Sequence, residues 1–169
     1  SYTEGMIGKL QTFPGMTCGV LQSRPQSRGY VKASSKKISD PPIIQPNYLK
    51  ENIDQDVLIE GVKMCRSLLD TSTMKKISVC ETLPGINIKS DDEILNFIRN
   101  KGATVYHAIG SCRMGIDNKA VVSPSLKING LSNIRIADAS IMPTMPSGNT
   151  NAATLMIAEK ASDLIKQDL

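Results

Sequence analysis

The C-terminal segment, residues 131–169, has the pattern that most restricts what this chain can fold into. Ile134 and Ile136 alternate with Arg135 and Ala137, which is the two-residue period of a strand with one buried face. Asp138 follows directly, so we expect the strand to end there. A polar loop comes next, whose residues break both strands and regular helices: Pro143, Pro146, Ser147, Gly148 and Asn149.

From about Thr150 the composition predicts a helix. Apolar and small residues recur at spacings of three and four along one stripe: Leu155, Ala158, Ser162, Ile165 and Leu169. A helix that begins after a Gly-Asn loop directs free N–H groups and partial positive charge at that loop, which suits an anion or an electron-rich ring edge. On local features alone, an ordinary strand–loop–helix unit with Asn149 or Thr150 as N-cap is favoured.

Two more helices are predicted upstream. The first spans residues 54–69, with Asn52 or Asp54 as the cap and an apolar stripe: Leu58, Val62, Cys65 and Leu69. The second opens at Ser90 with a capping box to Glu93, runs to about Asn100, and ends at Gly102. It should bury Ile94, Phe97 and Ile98.

Short strands are predicted at residues 17–21, 30–33 and 43–44, where apolar residues are separated by turn-forming residues. Strands followed by helices, with a further strand and a long helix at the C-terminus, indicate the α+β class. The chain of 169 residues is long enough for an ordinary domain with a core.

Charge and cysteine usage exclude two classes of function. The net charge of +4 comes from scattered lysines with no basic stripe, so no nucleic-acid partner is expected. The chain has one histidine and four cysteines without Cys-x-x-Cys spacing, which argues against a zinc site and predicts no bound metal. An even number of cysteines permits disulfides without demanding them, and Cys65 on the helical stripe is typical of a buried free thiol.

The sequence shows no secretory signal and no run of apolar residues long enough to span a membrane. A reducing, cytoplasmic setting is therefore the expectation. The first residue is Ser1 and not an initiator Met, so we expect the chain to be a fragment whose natural N-terminus and targeting signal lie elsewhere.

Seven linked motifs lie in order at residues 25–29, 46–49, 107–115, 121–122, 130–140, 147–152 and 156–165. In order and spacing they resemble the C-terminal signature of the glucose–methanol–choline (GMC) family of flavin oxidoreductases. The Gly-Asn-Thr-Asn run within 147–152 is most similar to the choline-dehydrogenase-like branch. The resemblance covers nearly the whole chain.

The resemblance implies a division of the chain. Residues 1–104 would be part of a substrate-binding domain built on an antiparallel sheet with helices. Residues 105–169 would be an active-site segment followed by the strand–loop–helix that returns to the FAD domain, from about residue 120 onward. No G-x-G-x-x-G fingerprint occurs in the chain, so the N-terminal FAD-binding part of the same protein would be its partner, and this chain alone is not expected to bind FAD tightly.

The resemblance also implies catalytic roles in oxidising a small-molecule alcohol to a carbonyl, with a hydride passing to the flavin. It places the family's active-site histidine at His107, and neutral imidazole suits the removal of a hydroxyl proton. Many members have a second histidine where this chain has Asn149. An amide cannot act as a base, but it can donate a hydrogen bond to the substrate oxygen.

The same resemblance implies a flavin contact. The N–H groups of Thr150, Asn151 and Ala152 would face the pyrimidine edge, where negative charge accumulates on reduction. Asp138 and Ala139, at the end of the predicted strand, would lie near the flavin or its diphosphate. Asp138 is expected to act there through its backbone, because a carboxylate beside a phosphate is unfavourable.

Two alternatives stay open. Cys112, five residues from His107, would allow a Cys/His nucleophile pair, although no orienting acid or second histidine accompanies it. The chain would otherwise be a non-catalytic partner-binding or structural module that retains family motifs. In the isolated chain, the helix at 150–168 would lack its natural sheet partners, so its exposed apolar side chains would favour self-association.

Overall fold

The computed structural model of the chain describes residues 10–168. These residues form two short strands, β1 (Tyr30–Lys32) and β2 (Ile43–Gln45), and three α-helices, α1 (Asn52–Leu69), α2 (Asp91–Lys101) and α3 (Thr150–Gln167). Short 3-10 turns lie at Met74–Lys76 and Ala139–Ile141. The helices and the antiparallel sheet confirm the α+β class. None of the helices in the described range combines the length and the hydropathy that a membrane span requires.

The chain divides into two compact units. The helical unit contains the described residues up to 22, together with 26–28 and 47–104. The histidine unit contains residues 23–25, 29–46 and the described residues from 105 onward. Whether these units correspond to a substrate-binding and a flavin-binding domain stays a prediction.

In the helical unit, α1 and α2 pack against each other, with Ile59 and Ile94 as the buried apolar side chains. The predicted capping box of α2 is confirmed: Glu93 N–H donates to Ser90 Oγ, and the Glu93 carboxylate accepts from Ser90 N–H. Gly102 follows the helix as predicted, but with φ of −63° and not in the left-handed region.

The predicted cap of α1 is wrong. Glu51 occupies the N-cap position and makes no side-chain cap bond. Asp54, which is 1% exposed, instead accepts hydrogen bonds from the Gln22 side chain and from the backbone N–H groups of Gln26 and Ser27. A carboxylate one turn into the helix is therefore engaged by a distant segment of the chain, which no local pattern indicates.

The strand expected at residues 17–21 is absent. Val20 in this segment lies against Gly61 of α1, where a Cβ would collide with the valine side chain. The segment therefore packs along a helix instead of pairing with a strand.

In the histidine unit, β1 and β2 pair antiparallel with Tyr30 opposite Gln45, at the places where short strands were expected. The main core of this unit lies elsewhere, between the loops of 122–142 and one face of α3. It is a cluster of buried side chains: Val122, Leu126, Ile141, Met142, Ile157 and Ala161.

The strand expected before Asp138 is also absent, and the region is reduced to an isolated antiparallel bridge between Lys127 and Arg135. Two backbone bonds frame that bridge, Ile128 N–H to Ile134 C=O at 3.1 Å and Ile136 N–H to Leu126 C=O at 3.1 Å. Alternation along the sequence correctly indicated extended pairing, but the pairing is limited to this bridge.

The helix predicted from Thr150 is present, but its buried face is not the predicted stripe. Thr150, Ile157 and Ala161 are buried, whereas Leu155 and Ile165 are 60% and 46% exposed. Leu169 lies outside the described residues. α3 carries two apolar stripes with the same helical period, so periodicity alone could not select the one that packs on the core.

Candidate functional site

His107 lies in an irregular segment whose path is fixed by unusual backbone angles on both sides. Tyr106 has φ of 61° and Gly110 has φ of 80°, both in the left-handed region. At Gly110 a Cβ would also lie 3.2 Å from the carbonyl oxygen of Met142. Glycine at this position therefore lets the segment turn while it lies against the core.

Backbone hydrogen bonds continue this attachment beyond the turn. Cys112 N–H donates to Ser140 C=O at 3.0 Å, and Met114 N–H donates to Ile141 C=O at 2.8 Å. Ile141 is 2% exposed and belongs to the core of the unit. The segment that carries His107 is thereby held to a buried layer, which limits the freedom of the imidazole.

The contact that defines the site joins His107 to the start of α3. The Nδ1 atom of His107 lies 3.0 Å from Oγ1 of Thr150, across 43 residues of sequence. Thr150 is 8% exposed and is the first residue of the helix. The hydroxyl of Thr150 thus hydrogen-bonds to Nδ1, and the second ring nitrogen, Nε2, takes no part in this contact.

The chemical use of Nε2 depends on the direction of this hydrogen bond. When Nδ1–H donates to Oγ1, the lone pair of Nε2 is free to accept a proton. When the hydroxyl donates to Nδ1, the ring carries its hydrogen on Nε2 and becomes a donor. A general base at Nε2 requires the first arrangement, in which Thr150 orients the ring as a third group does in a catalytic triad.

Asn149 occupies the N-cap position of α3, is exposed, and makes no side-chain cap hydrogen bond. The prediction of an N-cap at Asn149 or Thr150 is therefore confirmed for Asn149, although without a side-chain capping bond, whereas Thr150 is already helical and faces His107. The amide of Asn149 is consequently not used by the helix. It remains available for a hydrogen bond to another group.

Asn151 and Ala152 complete the first turn of α3, and both are exposed. The first N–H groups of an α-helix have no acceptor within the helix. The first turn contains no acidic side chain, so the partial positive charge of the helix end is not offset there. This end of α3 suits a group that carries or develops negative charge.

Asp138 does not stand at the end of a strand, because no strand precedes it. It caps the 3-10 turn at Ala139–Ile141, and its Oδ1 accepts from Ser140 N–H at 2.7 Å. Ala139 is half-buried against the core of the unit. The carboxylate therefore has a local structural role, and the proximity of both residues to a cofactor stays a prediction.

Cys112 gains no support as a nucleophile. Across residues 10–168, no hydrogen bond joins its thiol to His107, whose Nδ1 is engaged by Thr150. No cluster of three or more potential metal ligands occurs within the same range.

Two charge clusters stabilise other parts of the histidine unit. Arg113, close to His107 in sequence, forms two hydrogen bonds with the Asp117 carboxylate, and these bonds lower the pKa of Asp117 to about 2. Lys127 and Arg135 both contact Asp168 beyond the end of α3, at 2.6 and 2.7 Å. These two cations, Lys127 first, lower the pKa of Asp168 to about 2.

The site residues are thus assembled from two places in the sequence, the motif at 107–115 and the loop–helix junction at 149–152. The family model described as GMC oxidoreductase matches residues 25–158, which include both places. The chain belongs to the GMC oxidoreductase family. The histidine motif and the Gly-Asn-Thr-Asn run, which carried the resemblance in the sequence, both fall inside the matched range.

Relatives of this GMC chain include oxidoreductases of known name. It is 45% identical over 165 residues to an alcohol dehydrogenase [acceptor] of Pseudomonas putida, covering 98% of this chain and 30% of that protein. It is 43% identical to the mitochondrial choline dehydrogenase of Homo sapiens, covering 85% of this chain and 24% of that protein. The chain therefore spans less than a third of the length of these relatives.

A solved structure gives the same result for the fold. An FAD-dependent oxidoreductase from Chaetomium thermophilum superposes with a TM-score of 0.81 at 29% identity, covering 86% of this chain and 25% of that one. FAD dependence is thus a property of a structural neighbour of this GMC chain.

The contribution of the Thr150 side chain was not predicted. The sequence indicated Thr150 as a flavin contact through its backbone, whereas the structure places its hydroxyl on His107. Because the two residues lie in motifs separated by an irregular region, no periodicity links them. The available signal was their membership of the two motifs that carried the family resemblance.

Proposed function

We propose that the full-length protein is an FAD-dependent oxidoreductase that oxidises an alcohol to a carbonyl, and that this chain contributes the base and an oxygen-binding group. The observation that carries the proposal is the 3.0 Å contact between His107 Nδ1 and Thr150 Oγ1. It orients the imidazole and leaves Nε2 for a substrate hydroxyl. Membership of the GMC family and the names of the relatives support this reaction class.

In this reaction His107 accepts the hydroxyl proton at Nε2. Thr150 holds the ring by accepting from Nδ1–H, which stabilises the imidazolium that forms. FAD, bound by the full-length protein, would supply the hydride acceptor for the alcohol carbon. His107 has no second histidine in this chain to share the proton, so the base function falls on it alone.

Asn149 would bind the substrate oxygen through its side-chain amide. Its exposed position next to Thr150, without a capping bond, supports this role. An amide donor strengthens its hydrogen bond as the oxygen gains negative charge, and so favours the transition state over the bound alcohol.

The first turn of α3 fits the cofactor. Thr150, Asn151 and Ala152 would direct their N–H groups at the pyrimidine edge of the flavin, and no acidic side chain in that turn opposes it. Asp138 and Ala139 would lie nearby and act through their backbone. The remaining contacts, including the nucleotide fingerprint, would come from an N-terminal part of the same protein, so this chain alone would bind FAD weakly.

The test of the proposal is the pre-steady-state reduction of the flavin in the full-length protein, measured by its visible absorbance with a panel of primary alcohols that includes choline. Because a general base acts only in its deprotonated form, the rate should rise with pH and then level off. His107→Ala should lower it by about 10² to 10⁴ and remove that pH dependence. Parental rates in His107→Ala and His107→Gln would show that His107 is not the base.

The role of Asn149 has its own measurement in the same assay. Asn149→Ala should slow flavin reduction by the loss of a donor worth about 3 kcal/mol in the transition state. Because the side chain caps no helix, the thermal midpoint of the variant should stay near that of the parent. A lowered midpoint with unchanged single-turnover reduction would contradict the proposed role.

A further inference from the structure

Cys18 and Cys65 meet in the helical unit because the segment at 18–22 packs lengthwise along α1. Its contacts follow the helix in reverse order: Gln22 donates to Asp54 at 2.7 Å, Val20 lies against Gly61, and Cys18 reaches Cys65. From residue 54 to residue 65 a helix rises about 16 Å. Four residues cover such a span only when nearly extended, with the reach of the Gln22 side chain added.

Glycine at position 61 allows this packing. A Cβ there would collide with the side chain of Val20, so the segment could not approach α1 closely with any other residue at that position. Gly61 and Cys65 are one helical turn apart and share a face of α1. The close approach at Gly61 therefore brings Cys18 onto Cys65.

The two sulfur atoms lie 3.1 Å apart, with the Cys18 thiol donating to Cys65, and 47 residues separate them in sequence. Both thiols are reduced in this structure. A disulfide bond is about 2.05 Å long, so bond formation requires the sulfurs to approach by roughly 1 Å. Side-chain rotation and a small shift of the irregular segment can supply such a movement.

The two thiols differ in their surroundings. Cys18 is exposed, whereas Cys65 is half-buried on the face of α1. Burial raises the pKa of Cys65, and a hydrogen bond to the Cys18 thiolate and the negative charge of that thiolate raise it further, to about 11. An oxidant in solution therefore reacts with Cys18 first. Once Cys18 is bonded to glutathione, it no longer contributes to the raised pKa of Cys65.

We propose that Cys18 and Cys65 are a redox-active pair that forms a reversible disulfide with low-molecular-weight disulfides such as glutathione disulfide. The Cys18 thiolate attacks one sulfur of glutathione disulfide, the S–S bond breaks, and one glutathione thiolate leaves. Cys65 gives its proton to solvent and attacks Sγ of Cys18, which expels the second glutathione. Two protein thiols are oxidised, one glutathione disulfide is reduced, and the released protons neutralise the two glutathione thiolates.

The bond would change what holds the segment at 18–22. In the reduced protein the segment is attached to α1 by the hydrogen bond from Gln22 to Asp54 and by the packing of Val20 on Gly61. The disulfide adds a covalent attachment at the opposite end of the segment and closes a long loop, which restricts the unfolded chain. Oxidation should therefore protect this segment from proteolysis.

The experiment equilibrates the full-length protein with a series of glutathione to glutathione disulfide ratios, blocks free thiols by alkylation, and maps cysteine peptides by mass spectrometry. Cys18 and Cys65 should lose alkylation together, with a common midpoint, and appear as one cross-linked peptide pair. Cys80→Ser, a matched exposed cysteine, should leave the cross-link unchanged. Stable glutathione adducts on Cys18 without the cross-link at any ratio, or a cross-link that uses Cys80, would overturn the proposal.

A second variant tests the packing that brings the thiols together. Gly61→Val keeps both cysteines but places a side chain against Val20. It should slow cross-link formation roughly tenfold, the usual size of an overpacking penalty, while Cys18 reacts with glutathione disulfide at the parental rate. Cross-linking of Gly61→Val at the parental rate would mean that the thiols meet by random motion and would contradict a built redox pair.

Discussion

The helical unit and the histidine unit are held together in different ways. In the helical unit, two regular helices pack on each other, and a buried carboxylate, Asp54, accepts hydrogen bonds from Gln22, Gln26 and Ser27, which are distant in sequence. In the histidine unit, most of residues 105–149 lie outside helices and strands, and isolated bridges such as Met114–Val122 and Val122–Ile128 connect the loops. These loops nevertheless surround the larger buried apolar cluster of the two units.

The comparison shows where the chain places its candidate chemistry. An irregular segment can present the His107 ring to the start of a helix in a direction that neither a helix nor a strand would allow. Such a segment depends on the core beneath it, through Gly110 against Met142 and through Met114 bonded to Ile141. Function in this unit should therefore be sensitive to core packing, whereas packing in the helical unit should affect stability alone.

The largest expected effect distinguishes the core of the histidine unit from the core of the helical unit. Ile141→Ala and Ile94→Ala each remove a side chain that is at most 2% exposed, and each should lower the free energy of unfolding by about 2–5 kcal/mol. Under conditions where both variants remain folded, Ile141→Ala should also slow flavin reduction in the full-length protein, because it loosens the layer under His107. Ile94→Ala should not.

Denaturant titration measures the first effect, and single-turnover reduction of the flavin measures the second. Ile141→Val and Ile94→Val are the matched controls, with smaller losses of stability and the parental rate of reduction. Equal slowing by Ile94→Ala and Ile141→Ala would remove the distinction between the two units.

The next largest effect tests the hydrogen bond between His107 and Thr150. Thr150→Val keeps the shape of the side chain and removes the hydroxyl that engages His107 Nδ1. Loss of a hydrogen bond to a group that becomes charged is worth about 1.5–3 kcal/mol, so flavin reduction should slow roughly tenfold to a hundredfold. The pH profile should also shift, because the imidazolium loses its acceptor.

Thr150→Ser restores the hydroxyl and should recover most of the rate and the parental pH profile. A structural role of Thr150 would lower stability without moving the pH profile. That result would leave His107 without an orienting group.

The smallest effect concerns the anchor of the helical unit. Asp54→Asn puts an NH₂ group where the carboxylate accepts a backbone N–H, and should cost about 1–3 kcal/mol of unfolding free energy. Burial acts to raise the pKa of Asp54, but the hydrogen bonds from Gln26, Ser27 and Gln22 outweigh it, so the pKa lies below the usual value of 3.8. The stabilisation is therefore present above that value and is lost as the pH falls through the lowered pKa of the folded state.

Asp168→Asn in the histidine unit is the comparison, because that carboxylate pairs with Lys127 and Arg135 at the surface, where solvent screens the charges. It should destabilise the protein less than Asp54→Asn. Thermal unfolding from neutral pH down to about pH 3 should show a larger acid loss of stability for the parent than for Asp54→Asn. A larger loss of stability in Asp168→Asn than in Asp54→Asn would contradict this prediction.

The sequence determined the features whose causes are local. The capping box at Ser90 and Glu93 lies within one turn, and the periodicity of α1, α2 and α3 requires neighbours three and four residues apart. The hairpin strands at Tyr30–Lys32 and Ile43–Gln45 follow from turn residues between short apolar runs. The two motifs of the candidate site were also visible in the sequence, although their geometry was not.

Tertiary structure decided the features that depend on partners distant in the chain. The face of α3 that packs was set by the loops of 122–142, since both of its stripes have the same period. Asp54 became an anchor and not a cap because Gln22, Gln26 and Ser27 reach it, and the segment before Asp138 pairs only through the Lys127–Arg135 bridge. The contact between His107 and Thr150 spans 43 residues and arises from the folded core, since neither residue's local sequence favours it.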